Sequence, residues 1–370
     1  MIISIERDSL IEPLKHMVGV SEKKQTMPIL GNVLIRGTGE TLLLVSSDLE
    51  VEISTEIVYP ADSMINTTMP AKKLLDILKS LPESKTVNIE ILETKAIIKS
   101  GKSKFTLATI SGTDFPYQPQ ANNFNFKVTA DDFDSLIAQT GFSMATQDAR
   151  HFLNGMFLET SNNCITVVAT DGHRLSMSSC NTGNKTDQPV SCIIPRKCIT
   201  EIKRILSSFK DNKENLVEFT IEEKEIVFKI DDFSIKTKLI EGNYPDYKKV
   251  FPESLPNKLT VNKQDLKSAL QRMSILSNDQ FKGVKLTLNK TDMVLSTNNP
   301  SLEEGEDSIP CSYSGDAFDI GFNLSYLLEV IDVISSSNIE IQLNNSDSGC
   351  LISSEDKSSH NKYIIMPMRV

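Results

Sequence analysis

Asn32-Val-Leu-Ile-Arg-Gly-Thr-Gly-Glu-Thr-Leu-Leu-Leu-Val-Ser-Ser-Asp48 decides how this chain is read, because the chain writes it again. Gly155-Met-Phe-Leu-Glu-Thr-Ser-Asn-Asn-Cys-Ile-Thr-Val-Val-Ala-Thr-Asp171 lies 123 residues further on. A third copy runs from Gly283 to Asn299 as GVKLTLNKTDMVLSTNN. Each copy is an apolar run, a polar turn and a second apolar run, which is the pattern of two paired strands. Upstream of the three copies stand Ile5-Glu-Arg-Asp-Ser-Leu10 leading to Leu14, Val128-Thr-Ala-Asp-Asp-Phe133 leading to Ile137, and Val261-Asn-Lys-Gln-Asp-Leu266 leading to Leu270. These read as the end of a strand, a polar helix start, then apolar positions four apart on one helical face. Downstream come MPAKKLLDILKSL (69–81), IPRKCITEIKRIL (194–206) and GFNLSYLLEVIDVI (321–334), each a turn and a second helix. Alternating segments such as Val217–Ile221 and Ile226–Ile230 have the period of half-buried antiparallel sheet. Two units close on Phe115-Pro116 and Tyr244-Pro245.

A period of about 125 residues is far longer than that of a solenoid. It signals an α+β domain present three times, each copy with two helices and about eight antiparallel strands. The boundaries fall near 123–127 and near 252–257, where Pro252 and Pro256 interrupt the chain. The expected domains are 1–124, 125–253 and 254–370.

Composition narrows the function. The 370 residues are 39% hydrophobic and 24% charged, as in ordinary globular proteins. No apolar run approaches the roughly 18 residues of a membrane span. The start, MIISIERDSLIEPL, carries Glu6, Asp8 and Glu12 and does not read as a secretory leader. Six cysteines are scattered without a C-x-x-C pair, so zinc is not expected, and buried thiols in a reducing cytoplasm are.

A net charge of −10 argues against phosphate binding unless the positive charge is gathered in one place. On 195–206, Ile199, Ile202, Ile205 and Leu206 share one helical face. Arg196, Lys197, Lys203 and Arg204 fall opposite. On 71–79 the split recurs, with Leu74, Leu75, Ile77 and Leu78 against Lys72, Lys73 and Lys79. Lys263 and Lys267 stand four apart in the third copy. Pseudo-symmetric units joined head to tail close into a ring, and basic helices on its inner wall would hold duplex DNA without reading sequence. With no Trp and 6% aromatics, base stacking on a single strand is not expected.

MPILGNVLI (27–35), SSDLEVEI (46–53), FLNGMFLE (152–159), ATDGHRLS (169–176), GNYPDYKKV (242–250), LSNDQFKGVKL (276–286), GFNLSYLLEVI (321–331) and YIIMPMRV (363–370) occur in this order over the whole chain. Together they resemble the bacterial β sliding clamp family. The resemblance implies a head-to-tail homodimeric ring of six domains on double-stranded DNA, opened by a clamp loader, with no catalysis, cofactor or metal of its own. It also implies a hydrophobic pocket for the short linear motifs of the replicative polymerase, other polymerases and repair proteins. By residue match that pocket would be lined by Leu153, Thr170, Gly172, His173, Arg174, Leu175, Pro245, Val250, Phe281, Asn323, Tyr326, Ile364, Ile365, Met366, Pro367 and Met368. Lys24 and Gln147 match positions near the DNA path. Lys24 and Lys249 stand where many clamps have arginine, and at Lys249 that removes any two-pronged contact.

Gly101-Lys-Ser-Lys-Phe-Thr-Leu107 reads as a basic edge strand, and Glu303, Glu304, Glu306 and Asp307 as an acidic loop. Lys102 and Lys104 opposite those acids would set the register between two copies. Ile77, Leu81, Phe105, Leu107, Ile275 and Leu276 would supply apolar contact. The alternative reading is a DNA-acting hydrolase using Asp171 and His173. Only four histidines exist, and none lies in a recognised catalytic motif. Asp48 and Asp171 are repeat equivalents, which favours a turn role for both. A scaffold that binds no DNA is a third class.

Overall fold

The computed structural model describes residues 1–21, 27–60, 64–83, 85–119, 123–161, 163–183, 189–209, 215–252, 255–278, 282–356 and 360–369. Their contacts gather into two units, Met1–Phe133 with Lys197–Leu239, and Asp134–Arg196 with Ile240–Val370. The units therefore divide the middle copy of the repeat between them.

The first unit has a four-stranded sheet in the order Ile2–Glu6, Thr86–Ile91, Lys95–Ser100, Ser103–Ala108. Its second sheet has nine strands, ordered Phe126–Thr129, Leu216–Ile221, Glu225–Ile230, Phe233–Lys238, Val51–Val58, Thr41–Ser47, Asn32–Gly37, Asn66–Pro70, Ile110–Ser111. The two strands read from Asn32–Asp48 are adjacent there, as expected. Helices α1 (Arg7–Val20) and α2 (Ala71–Ser80) belong to this unit. Helices α3 (Ala130–Thr140) and α4 (Arg196–Ser208) straddle the division. On α2, Leu74, Leu75 and Leu78 are buried and Lys72 and Lys73 exposed, the split the spacing predicts. Each such leucine contributes about 2 kcal/mol of apolar burial.

The second unit holds a twelve-stranded sheet and helices α5 (Lys263–Ser274) and α6 (Leu324–Val333). Its order is Val190–Pro195, Gly155–Ser161, Cys164–Thr170, Arg174–Asn181, Lys362–Ile365, Cys350–Ser354, Asn338–Leu343, Asn257–Asn262, Glu304–Tyr313, Asp292–Asn298, Gly283–Leu288, Phe318–Asn323. Asn262 and Asn323 cap α5 and α6, each side chain accepting two N–H groups of the first turn. The strand Lys362–Ile365 is not a free edge of the third copy, because it lies between Cys350–Ser354 and Arg174–Asn181 of the preceding copy. Phe233–Lys238 pairs with Val51–Val58 in the same way.

The acidic segment is also not a loop. Glu304, Glu306 and Asp307 lie on the first half of strand Glu304–Tyr313, with Glu303 just before it. Among the described residues that half pairs only with Asp292–Asn298, since the other neighbour joins at Cys311–Tyr313. The far edge of Ser103–Ala108 likewise has no partner strand among the described residues. Cys192, Cys198 and Cys350 are buried as expected, whereas Cys164, Cys180 and Cys311 are half-buried.

His16 is one of the titratable groups packed inside the first unit. His16 is buried on α1, its ring edge-on to Phe233 at 5.0 Å and its Nε2 3.3 Å from the Ser208 hydroxyl. Burial and then the nearby Arg204 hold its pKa down to about 4, against weaker opposition from Glu12. The unfolded chain takes up this proton near pH 6.5, so the stability His16 confers is complete above that pH and declines as pH falls toward 4. Glu201, whose burial raises its pKa, works in the opposite sense. Urea unfolding at pH 7 and pH 5 should show the loss for the native chain and a smaller loss for His16→Gln. Equal losses would remove His16 from this role.

Candidate functional site

The turn Asp171-Gly172-His173-Arg174 joins the strands Cys164–Thr170 and Arg174–Asn181. Gly172 has φ +88°, a conformation glycine adopts without strain. The Asp171 carboxylate folds the turn: Oδ1 accepts the N–H of His173 at 2.9 Å and of Arg174 at 3.0 Å, and Oδ2 accepts Arg174 Nε at 3.0 Å. Thr170 Oγ1 accepts the N–H of Gly172 at 3.1 Å and donates to the Arg174 carbonyl. The structural role expected for Asp171 is what the geometry shows. Asp48 does the same, accepting the N–H of Glu50 at 2.9 Å and of Val51 at 2.7 Å.

Arg174 is the hub. Its side chain is 8% exposed and pairs with both Asp171 and Glu329 of α6. One nitrogen donates to the Phe142 carbonyl at 2.7 Å, and the guanidinium lies 4.3 Å from the Tyr326 ring and 5.4 Å from the Phe142 ring. Through these contacts it braces the turn against α6 and the Phe142 segment. Outside the turn, Arg150 donates to the Asp171 carbonyl at 3.3 Å and grips Asp148 through Nε at 3.1 Å and a terminal nitrogen at 2.9 Å. That grip pulls the Asp148 carboxyl down to about 2. Phe142, Arg150 and Glu329 are absent from the expected set. Each works through its contact with the turn, which spacing does not reveal.

An apolar floor adjoins the turn. Leu175 faces Ile364 directly across the strand pair, both buried, and Val168 and Tyr247 complete the cluster. Phe157, Met177, Tyr244, Phe251 and Leu351 pack around it. Phe157 and Tyr244 stack at 4.8 Å, and burial raises the Tyr244 hydroxyl pKa. Beyond Ile365 the tail is tied at two points. The Met366 N–H donates to the His173 carbonyl at 2.9 Å, and the Met368 N–H to Gly321 at 2.9 Å. Met366 is 41% exposed, Pro367 and Met368 half-buried, and Pro245, Val250 and His173 exposed. The structure thus brings Thr170–Leu175, Asn323, Tyr326 and Ile364–Met368 into one neighbourhood. Leu153 is buried, and Phe281 and Lys24 lie outside the described residues.

The expected DNA-facing residues divide. Lys72, Lys73 and Gln147 are exposed. Arg196 donates to the Met144 carbonyl at 2.8 Å, Lys197 pairs with buried Asp48, Lys263 donates to the Ile334 carbonyl, and Lys267 lies 2.6 Å from Asp332. The basic faces are therefore smaller than helical spacing alone suggests. Among the described residues no cluster of His, Cys, Asp or Glu could hold a metal ion, and no helix is long and apolar enough to cross a membrane.

Family models for the N-terminal, central and C-terminal domains of the DNA polymerase III beta subunit match residues 1–119, 127–246 and 248–369. The chain belongs to the DNA polymerase III beta subunit family. The beta sliding clamp of Pseudomonas aeruginosa is 37% identical over 372 residues, covering 100% of both chains. That of Escherichia coli K12 is 36% identical over 374 residues, again with 100% coverage of both. The crystal structure of the P. aeruginosa subunit superposes with a TM-score of 0.94 at 36% identity over 100% of both chains. A P. aeruginosa clamp solved bound to griselimycin gives the same values. The family is that of a non-catalytic processivity subunit, which sets aside a hydrolase built on Asp171 and His173. The geometry agrees, because both Asp171 oxygens already hold the turn.

Arg174→Ala leaves Asp171 and Glu329 without their cation and should destabilise the protein by about 3 kcal/mol in urea unfolding. Arg174→Lys should recover only part, since lysine cannot hold two carboxylates and a carbonyl in one plane. Full recovery by lysine would show that charge alone matters.

Proposed function

We propose that two copies of this chain close head to tail around duplex DNA in the cytoplasm, that a clamp loader opens the ring, and that each copy captures the short apolar motifs of polymerases and repair proteins in the pocket beside Asp171–Leu175. The observation that carries the pocket is the pairing of Leu175 with Ile364 beside a tail tied by the backbone hydrogen bonds of Met366 and Met368. Methionine is unbranched and polarizable, so Met366 and Met368 suit a wall that adapts to several peptides. Leu153, Thr170, Gly172, Pro245, Val250, Phe281, Asn323, Tyr326, Ile365 and Pro367 complete the proposed lining, with Arg150 added. His173 and Arg174 orient and support and do no chemistry. The domains are taken as 1–124, 125–253 and 254–370.

For assembly, the open edge of Ser103–Ala108 and the open half of Glu304–Tyr313 are complementary. The first carries exposed Lys104 with Lys102 just before it, and the second exposed Glu304 and Glu306 behind Glu303. Asp307 is engaged with Arg272 at 2.7 Å, so it shapes the edge and leaves the pairing to the glutamates. Ile275, 78% exposed, with half-buried Leu276, Ile77 and Phe105, supplies the apolar part, whereas Leu81 and Leu107, expected there, are buried in the core and only back it. Lys72 and Lys73, with Gln147 and Lys24, face the phosphates. Arg196, Lys197, Lys263 and Lys267 add field from anchored positions. Contact of this kind is sequence-indifferent and strongly salt-dependent.

Deleting Met366–Val370 should leave the ring dimeric and cooperatively folded while abolishing calorimetric binding of a polymerase-tail peptide, whose apolar anchors each supply about 2 kcal/mol. Undiminished affinity would take the tail out of the pocket. Ile275→Asp with Leu276→Asp should give a folded monomer by light scattering that is no longer retained on circular duplex. A dimer that survives both changes would place the interface elsewhere.

A further inference from the structure

The two strand junctions between copies of the repeat are built alike, one in each unit. In the second unit Arg174 faces Ile365, Leu175 faces Ile364, and the Met366 N–H reaches the His173 carbonyl. In the first unit Val51 faces Thr237, Glu52 faces Lys236, and the Lys238 N–H reaches the Glu50 carbonyl at 3.1 Å. Each strand is entered from an aspartate turn whose second residue is left-handed, Leu49 at φ +76° and Gly172 at φ +88°. The apolar surroundings also correspond. Leu34, Val45 and Phe115, with Tyr117 packed on them, form a cluster in the first unit where Phe157, Val168 and Tyr244 stand in the second. The cross-strand pair at the centre differs. Leu175 and Ile364, 3% and 2% exposed, are replaced by Glu52 and Lys236, whose carboxylate and ammonium lie 3.5 Å apart. Glu52 is itself 5% exposed.

We propose that the Glu52–Lys236 ion pair is the specificity determinant that confines apolar-motif docking to the second junction. The inference rests on the pocket reading above. An apolar anchor entering the first junction would have to desolvate or separate a paired carboxylate and ammonium and gives neither a hydrogen bond in return. At the second junction the central cross-strand pair that the same anchor meets is Leu175 and Ile364, both apolar. The Leu49 side chain, 44% exposed on the turn where the second junction has glycine, narrows the approach further.

The consequence is that the repeat carries a latent second site. Replacing a buried ion pair by apolar residues of similar volume is commonly neutral or stabilising, whereas removing one partner is not. Glu52→Leu with Lys236→Ile, together and with Leu49→Gly, should therefore fold. Each clamp protein is titrated calorimetrically with the polymerase-tail peptide, and the dimer is checked by light scattering. The native chain should take about one peptide per chain and the triple variant about two, the added site resting on the same apolar anchors. Adding Leu175→Asp should abolish binding to the native chain but leave about one site in the triple variant, now located at the first junction. The charge-reversed pair Glu52→Lys with Lys236→Glu keeps the ionic floor and should keep the native stoichiometry. If Leu175→Asp leaves the native site intact, the pocket reading fails and this inference with it. If Leu175→Asp abolishes native binding while the folded triple variant gains no site, the pocket stands and the ion pair is not the determinant. Should the triple variant not fold, Glu52→Gln with Lys236→Met is titrated in its place under the same two criteria.

Discussion

A strand cannot leave its backbone groups unmade, and in this protein the last strand of one copy of the repeat completes the sheet of the copy before it. Lys362–Ile365 runs against Arg174–Asn181, and Phe233–Lys238 against Val51–Val58. Main-chain hydrogen bonding across these seams is obligatory and extends over several residues. It fixes which side chains meet there. Leu175 stands over Ile364 because the register puts it there, and a slip of one residue would turn both away from the cluster. The tail after Ile365 is aimed by the same pairing. The compact units of the fold therefore do not coincide with the units of the repeat, since the seams fuse neighbours.

Much of this was legible in the sequence. The repeated blocks located the helix starts, the paired strands and the aspartate turns, because those depend on local periodicity and on carboxylates folding back on nearby N–H groups. Asp48 and Asp171 form the turns their positions imply. What periodicity cannot see is the third dimension of a polar residue. Arg174 reads as a surface arginine beside a histidine, yet it is enclosed by Asp171, Glu329 and Phe142 from three segments. Lys197 lies on the basic face of a helical wheel, yet it meets Asp48, 149 residues away. The acid run at 303–307 looks like a loop because glutamates disfavour strands. Pairing with Asp292–Asn298 overrides that preference.

Charge is used here in three ways that composition merges into a single net value. Anchored pairs such as Lys197 with Asp48 stiffen joints. Exposed lysines such as Lys72 and Lys73 project a field. Arg174 ties a turn, a helix and a loop together from within. Exposed lysines attract a polyanion more than anchored ones, whose field their own partners offset, so net acidity does not by itself exclude a phosphate-facing surface.

The half-open strand Glu304–Tyr313 bears on the life of the chain before it meets its partner. A freshly synthesised copy exposes that edge and the edge of Ser103–Ala108 at once, and unpaired edges are where chains stick to the wrong neighbours. Carboxylates crowd one edge and ammonium groups the other, so an acidic edge repels another acidic edge and a basic edge another basic one. The same residues that would favour the correct union thus act as gatekeepers against aggregation while the chain waits, at the level of strand edges and without help from the rest of the surface.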